Sequence, residues 1–271
     1  MCIKCVKNMS TQTLPSSDVT IRVDHVSKLF RRQKQRTFKE MLPALIRHGK
    51  GGVVDTFWAL KDITFDVHRG EAFGIIGPNG SGKSTLLKLI ANVSQPTSGT
   101  VEVSGRITPL IELGAGFHAD MTGRENIYLN ASILGLTKKQ TEPLIQKIID
   151  FSEIGDFIDE PVKHYSSGMY TRLAFSVAVH VPFDVLLVDE ILSVGDARFQ
   201  HKCIELMQDF KKNGKTILYV GHGLTQVEKI CDRAAFINYG DLVCVGKPLD
   251  VIRRYAEHLG IEYQSVDSND D

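Results

Sequence analysis

The 271-residue chain is long enough for one large domain or two small ones, and its 42% hydrophobic, 8% aromatic and 24% charged residues are those of an ordinary globular protein. Its 32 basic residues balance 32 acidic ones, so no global field recruits nucleic acid or anionic lipid, which argues against a dedicated DNA binder. Five scattered cysteines, Cys2, Cys5, Cys203, Cys231 and Cys244, form no disulfide framework, and the C-x-x-C of the first two lacks a second pair for zinc, so reduced thiols are expected.

Residues 1–18 are polar, with Ser/Thr/Pro clusters, and read as a loose leader. "VTIRVDHVSKLF" alternates like a strand ending near Phe30. A basic run follows, with Lys28, Arg31, Arg32, Lys34, Arg36 and Lys39 inside twelve residues. Phe38, Met41, Leu42, Leu45 and Ile46 then recur at helical spacing, with Pro43 expected to kink or restart that helix. The stripe is expected to pack on the chain's own sheet, and the charges of this insert (about 31–57) to meet acidic lipid phosphates at a membrane surface. "ALKDITFDV" and "EAFGIIG" are further strands.

Gly77-Pro78-Asn79-Gly80-Ser81-Gly82-Lys83-Ser84 matches G-x-x-x-x-G-K-[ST], preceded by the apolar Phe73 to Ile76 and followed by Leu86, Leu87, Leu89 and Ile90 at helical spacing. That strand–loop–helix context is what a phosphate-binding loop requires, because its glycines let successive N–H groups curl around phosphate oxygens. Lys83 is expected to neutralise β- and γ-phosphates and Ser84 to ligate Mg²⁺, with Gly77 to Thr85 forming the nucleotide cradle.

Roughly 120–180 is helical in pattern, with capping boxes at Thr122/Glu125 and Thr137/Gln140. "HYSSGMY" then opens another apolar helix, so Ser166, Ser167 and Gly168 present N–H groups suited to an anion, yet no lysine follows. After it, "DVLLVDE" reads as a buried parallel strand. Asp189 at its tip is expected in the Mg²⁺ shell and Glu190 to polarise the attacking water. A helix near 197–212, the strand "TILYVGH", another helix, a hairpin turning at Tyr239-Gly240 and a closing helix near 248–259 complete the pattern before an acidic tail. His222, at the strand end, alone among nine histidines stands where a side chain points into a nucleotide crevice, and is expected to sense the γ-phosphate. No apolar run of about 18 residues appears, so no membrane span is expected.

The order of phosphate loop, Ser-Ser-Gly helix start, Val-Asp-Glu and strand-end His resembles the ATP-binding cassette (ABC) family. The resemblance implies an α/β P-loop NTPase fold, a mostly parallel sheet flanked by helices with a small antiparallel part and a helical subdomain. It covers about 19–245, with the subdomain at about 115–180 and a C-terminal helix and acidic tail over 246–271. "YSSGM" stands where the family shows L-S-G-G-Q, so Ser166, Ser167 and Gly168 are implied to cap ATP held by the phosphate loop of a second copy. Ser193 to Asp196 fall at the D-loop, and Phe30 or Trp58 at the adenine-stacking aromatic. Two departures stand out: no glutamine lies between the lobes, Glu112 being the nearest polar candidate for the metal, and Gly221 replaces the serine before the switch histidine.

"LIELGAGFHADMTGRENIYLNASILGLTKKQ" and "HYSSGMYTRLAFSVAVHVPFDVLLVDEILSVGDARFQHKC" further resemble the cassettes of polysaccharide exporters. Those ATPases drive lipid-linked O-antigen, capsule or teichoic-acid chains outward, at the cytoplasmic face of the cytoplasmic membrane. The implied partners are a second copy, separate polytopic membrane subunits docking near Glu112 to Glu125, and the lipid-linked glycan, with no nucleic acid; the implied cofactors are ATP and Mg²⁺. The appended carbohydrate-binding domain of some members is not expected here. The alternative is a soluble ABC-type ATPase of DNA repair or translation.

Overall fold

The computed structural model describes residues 18–32, 55–111, 113–189 and 195–263. The leader, the amphipathic stripe, Glu112, Glu190, Ser193 and the acidic tail lie outside the described residues.

Two sheets organise the fold. The larger has the order β5-β6-β7-β3-β8-β9, from β3 (Ala72–Ile76), β5 (Ile107–Leu110), β6 (Val185–Asp189), β7 (Thr216–Val220), β8 (Arg233–Asn238) and β9 (Asp241–Gly246). Its first five strands run parallel and β9 closes the edge antiparallel. The smaller sheet is antiparallel, β2-β1-β4, from β1 (Val19–Arg32), β2 (Asp55–His68) and β4 (Ser98–Val103).

Every residue of β3 and of β7 is buried, because strands covered on both faces read as unbroken apolar runs rather than alternating ones. On one face Phe73, Ile75, Leu187, Leu218 and Val220 pack with α1 (Lys83–Ile90) and the inner side of the small sheet. On the other, Ile76, Val188 and Phe236 pack against α5 (Ser167–His180), α6 (Ala197–Lys212), α7 (Leu224–Ile230) and α8 (Pro248–Leu259). A side chain at Gly74 would meet Val227 at 3.0 Å and Cys231 at 3.1 Å, so its absence lets α7 lie directly on the sheet.

Between β5 and β6 the chain closes a core of its own. It is built from α2 (Gly123–Ile133), the single turn α3 (Lys138–Thr141), α4 (Ile145–Ser152) and α5. Ile127, Ile148, Leu173 and Val177 are fully buried there, each worth about 1.5–3 kcal/mol of transfer free energy. Both expected capping boxes form: Thr122 N donates to Glu125 Oε2 (2.8 Å) and Thr137 N to Gln140 Oε1 (2.9 Å). Tyr239 and Gly240, at φ 46° and 84°, make the expected hairpin turn. No helix among the described residues is long and apolar enough to cross a membrane.

Candidate functional site

The site lies at the carboxyl ends of β3, β6 and β7, where chain order across the sheet reverses and a crevice opens. Register aligns the three ends: Ile75 pairs with Val220, and Val220 with Asp189. The turn Gly77 to Gly82 leaves β3 there and enters α1.

Its glycines are required sterically. At Gly82 (φ 107°) a Cβ would be driven onto the Ala59 carbonyl, and at Gly77 onto that of Ile237. At Gly80 (φ 79°) nothing lies within 4 Å, so the loop is open on that side. From behind, the hairpin turn props the loop: Gly240 N donates to Ser81 O at 2.9 Å, while Gly240 O accepts from Lys61 N at 2.8 Å.

Lys83 is buried, and its ammonium donates to the carbonyls of Gly77 (2.7 Å) and Pro78 (3.1 Å). Gly82 gives α1 no side-chain cap and its first turn holds no acidic residue, so N–H groups and the positive helix end face the opening. Ser81 Oγ is buried without a hydrogen-bond partner in the described fold. An orphaned polar atom, uncapped N–H groups and a fixed ammonium fit a polyphosphate.

The cleft above the loop measures about 450 Å³, within the range of small-molecule sites. Asn79, Gly80, Gly82, Lys83, Ser84, Thr85 and Asp189 line it, together with Phe57, Ala59 and Ile111. Of the expected aromatics, neither Phe30 nor Trp58 lines the cleft; Phe57 does. Phe57 and Ala59 both line the cleft, and Trp58, next to Phe57 in the regular part of the β1 ladder, points from the other face of β2. Phe30, paired with Phe57 across the ladder, stacks on it at 5.6 Å and backs its ring.

His222 lies two residues past β7, in the segment leading to α7. A Cβ on the preceding Gly221 would lie 2.9 Å from the Tyr219 hydroxyl, so a serine there would require that ring to shift. Glu112 and Glu190 lie outside the described residues, but Ile111 and Asp189 before them are at the cleft.

Ser166, Ser167 and Gly168 do not line this cleft. Ser166 is the N-cap of α5, its Oγ accepting from Met169 N at 3.1 Å, and both serines are exposed. Asp196 is also outside the cleft lining. It caps α6 through Phe199 N (2.9 Å) and pairs with Arg172 (2.9 Å). The Phe199 N–H, with Arg172 beside it, holds its carboxyl below the usual carboxylate range. Sequence reasoning missed Phe57, Ala59 and Ile111.

The ABC transporter family profile matches residues 60–193. The chain is 51% identical to an O-antigen export system ATP-binding protein, RfbB, of Klebsiella pneumoniae, over 75% of this chain and 82% of that one. The chain belongs to the ABC transporter family. The cassette is also 49% identical to the RfbB of Myxococcus xanthus and 49% identical to the teichoic acids export ATP-binding protein TagH of Enterococcus faecalis. The matches cover 93% and 76% of this chain but only 59% and 46% of those relatives, so the chain spans about half their length. Its fold is that of solved cassettes. A dimeric one in a post-hydrolysis state bound to ADP and Pi gives a TM-score of 0.68 at 19% identity, over 84% of this chain and 98% of that one. The ATP-binding subunit of an ABC transporter gives 0.69 at 24%, over 92% and 97%. Membership of this family implies that the chain binds nucleotide.

Proposed function

We propose that this cassette hydrolyses ATP as the nucleotide-binding subunit of an exporter of lipid-linked polysaccharide, and that two copies enclose two ATP molecules. The observation that carries the reading is the separation of two half-sites. One is an open phosphate cradle on α1, and the other an exposed, serine-capped helix terminus on α5 that does not reach it. Each supplies what the other lacks, which is the logic of an isologous pair.

Within the cleft Lys83 neutralises the β- and γ-phosphates, and Phe57, backed by Phe30, stacks on the base. Ser84 and Asp189, which line the cleft, would hold a Mg²⁺ ion with Glu112 as a further ligand, and the ion would supply charge neutralisation on the phosphates. Glu190 holds and polarises the attacking water, and His222 senses the γ-phosphate. Ser166, Ser167 and Gly168 close on the partner's phosphate, while Asp196 caps α6 and pairs with Arg172 of α5. Residues 19–245 form the cassette, with 115–180 its helical part.

Export is supported by the names of the relatives that match most of this chain. A membrane partner is supported by an apolar groove of about 240 Å³ between α1, the end of β5 and α2, lined by Val93, Pro109, Leu113, Ile133 and Leu134. Val93 and Ile133 are 69% and 59% exposed there, as a docking face for a short helix of a polytopic subunit requires. On this reading the chain works at the cytoplasmic face of the membrane, with the glycan handled by the complex and no role for nucleic acid.

The test is purification of the Glu190→Gln variant with ATP. A stalled dimer that comes with a polytopic subunit in detergent supports the reading. A monomer that comes with nucleic acid would turn it toward a repair ATPase.

A further inference from the structure

The C-terminal helix α8 reaches the hairpin that props the phosphate loop. Val251, Ile252, Tyr255 and Ala256 bury one face of α8, and Tyr255 meets Phe236 of β8 edge to face at 5.1 Å. In its last turn the His258 ring also meets Phe236 edge to face, at 5.6 Å, and His258 Nε2 accepts from Asn238 Nδ2 at 2.9 Å. Asn238 Oδ1 is buried without a hydrogen-bond partner in the described fold, so the bond to His258 orients this amide.

Asn238 ends β8 immediately before the Tyr239-Gly240 turn, and that turn is the floor of the phosphate cradle. The Ile237 carbonyl occupies the space that a Cβ on Gly77 would need, and Gly240 N donates to Ser81 O at 2.9 Å. Gly240 is also wedged against β2, where its own Cβ would lie 2.9 Å from the Ala59 carbonyl. The ladder alone does not hold this floor. Pairing of β8 with β9 shifts register between Phe236 and Ile237, and Tyr239 stands at φ 46°, a left-handed conformation uncommon for so large a residue. Such a turn keeps its shape only where its neighbours over-determine it. Lys61 supplies one constraint, through the Gly240 carbonyl and an ion pair with Asp241 at 2.9 Å; the Asn238–His258 bond supplies another.

We propose that Asn238 and His258 are positioning residues for the phosphate loop, their bond holding the β8–β9 turn in the shape that an occupied cradle requires. The inference rests on the reading of the cleft as a nucleotide site. Neither side chain lines the cleft, so the effect passes through Ile237 and the Gly240–Ser81 bond. Without the Asn238–His258 bond the turn samples other shapes, and apparent affinity falls with the fraction that remains competent. The helix α8 lies beyond the 19–245 span expected for the cassette, and this gives it a part in nucleotide binding.

The experiment measures, for the full chain, ADP affinity by titration calorimetry, melting temperature without nucleotide, and amide exchange at Gly240. ADP lacks the γ-phosphate that two copies would share, so it reads the cradle of one chain. His258→Phe keeps a ring against Phe236 and removes the acceptor, whereas His258→Gln restores an acceptor at similar reach. His258→Phe should weaken ADP binding about two- to ten-fold, the worth of one net hydrogen bond, and speed exchange at Gly240. Its melting temperature should fall by about 4 °C or less, leaving the chain folded in the titration. His258→Gln should stay near wild type. Asn238→Ala should cost as much as His258→Phe, and combining the two should cost no more than either alone, because both break one link. An affinity loss below about two-fold in His258→Phe, a loss without faster Gly240 exchange, or a loss that His258→Gln does not recover would each overturn the proposal. The two His258 variants decide if Asn238→Ala does not fold. A wild-type chain that does not bind ADP would instead overturn the nucleotide reading of the cleft, and this inference with it.

Discussion

Replacing Phe57 with alanine tests the geometry of the cleft more sharply than any change in the phosphate loop. Phe57 is 46% exposed on the cleft face of β2 and is backed by Phe30, whereas Trp58, 48% exposed, faces the other way. An aromatic platform under a base is worth about 1–3 kcal/mol, so Phe57→Ala should weaken ATP binding by about 5- to 150-fold. Phe30→Ala removes only the backing ring, worth about 0.5–1.5 kcal/mol, and should cost about 2- to 12-fold. Trp58→Ala should change affinity by less than about two-fold. Titration calorimetry with ATP and with inorganic tripolyphosphate separates base from phosphate recognition, because tripolyphosphate offers no ring to stack. Its affinity should be the same for wild type and Phe57→Ala. The reasoning fails if Trp58→Ala is the damaging change, or if tripolyphosphate binding falls as far as ATP binding in Phe57→Ala.

Gly82→Ala forces a side chain into the left-handed region at φ 107° and onto the Ala59 carbonyl. It should cost about 2 kcal/mol or more and lower the melting temperature by about 4–8 °C, with scanning calorimetry as the check. Asp120, Asp159 and Asp196 are held below the usual carboxylate value of 3.8 by the Lys163 bond, the Arg124 bond and the Phe199 N–H respectively. The folded chain therefore binds fewer protons than the unfolded one. The stability these groups add is complete above that value and lost as pH falls through their lower folded values. The urea midpoint should drop in this window, and a midpoint flat down to about pH 2 would contradict it. Burial pushes the Cys203 thiol up to about 12 and the Cys231 thiol higher still. In a Cys2→Ser, Cys5→Ser background, dithionitrobenzoate should label these two only after denaturation.

What the sequence made legible was local chemistry. The Gly77 to Ser84 loop announces itself through an apolar strand before and an apolar helix after, and the structure sets it between β3 and α1. Thr122/Glu125 and Tyr239-Gly240 are legible for the same reason: partners a few residues apart fix their own geometry. The face of β2 was not legible. Alternation says that Phe57 and Ala59 share a side, but only pairing with β1, interrupted by register shifts, decides which side meets the cleft. Nor could spacing bring Arg172 to Asp196, since that contact joins two helices separated by β6. Asp196 illustrates the limit, because a residue read as a site position also serves as a helix cap.

The most direct measurement mixes two inactive chains. Lys83→Ala spoils the cradle and leaves the α5 terminus intact, whereas Ser167→Arg spoils the terminus and leaves the cradle. Pairing one of each creates one composite site with both halves sound and one with neither. Random pairing at equal concentrations should therefore restore up to about a quarter of wild-type turnover, although each variant alone is inactive. A mixture no more active than its separate components would contradict a phosphate shared between two copies.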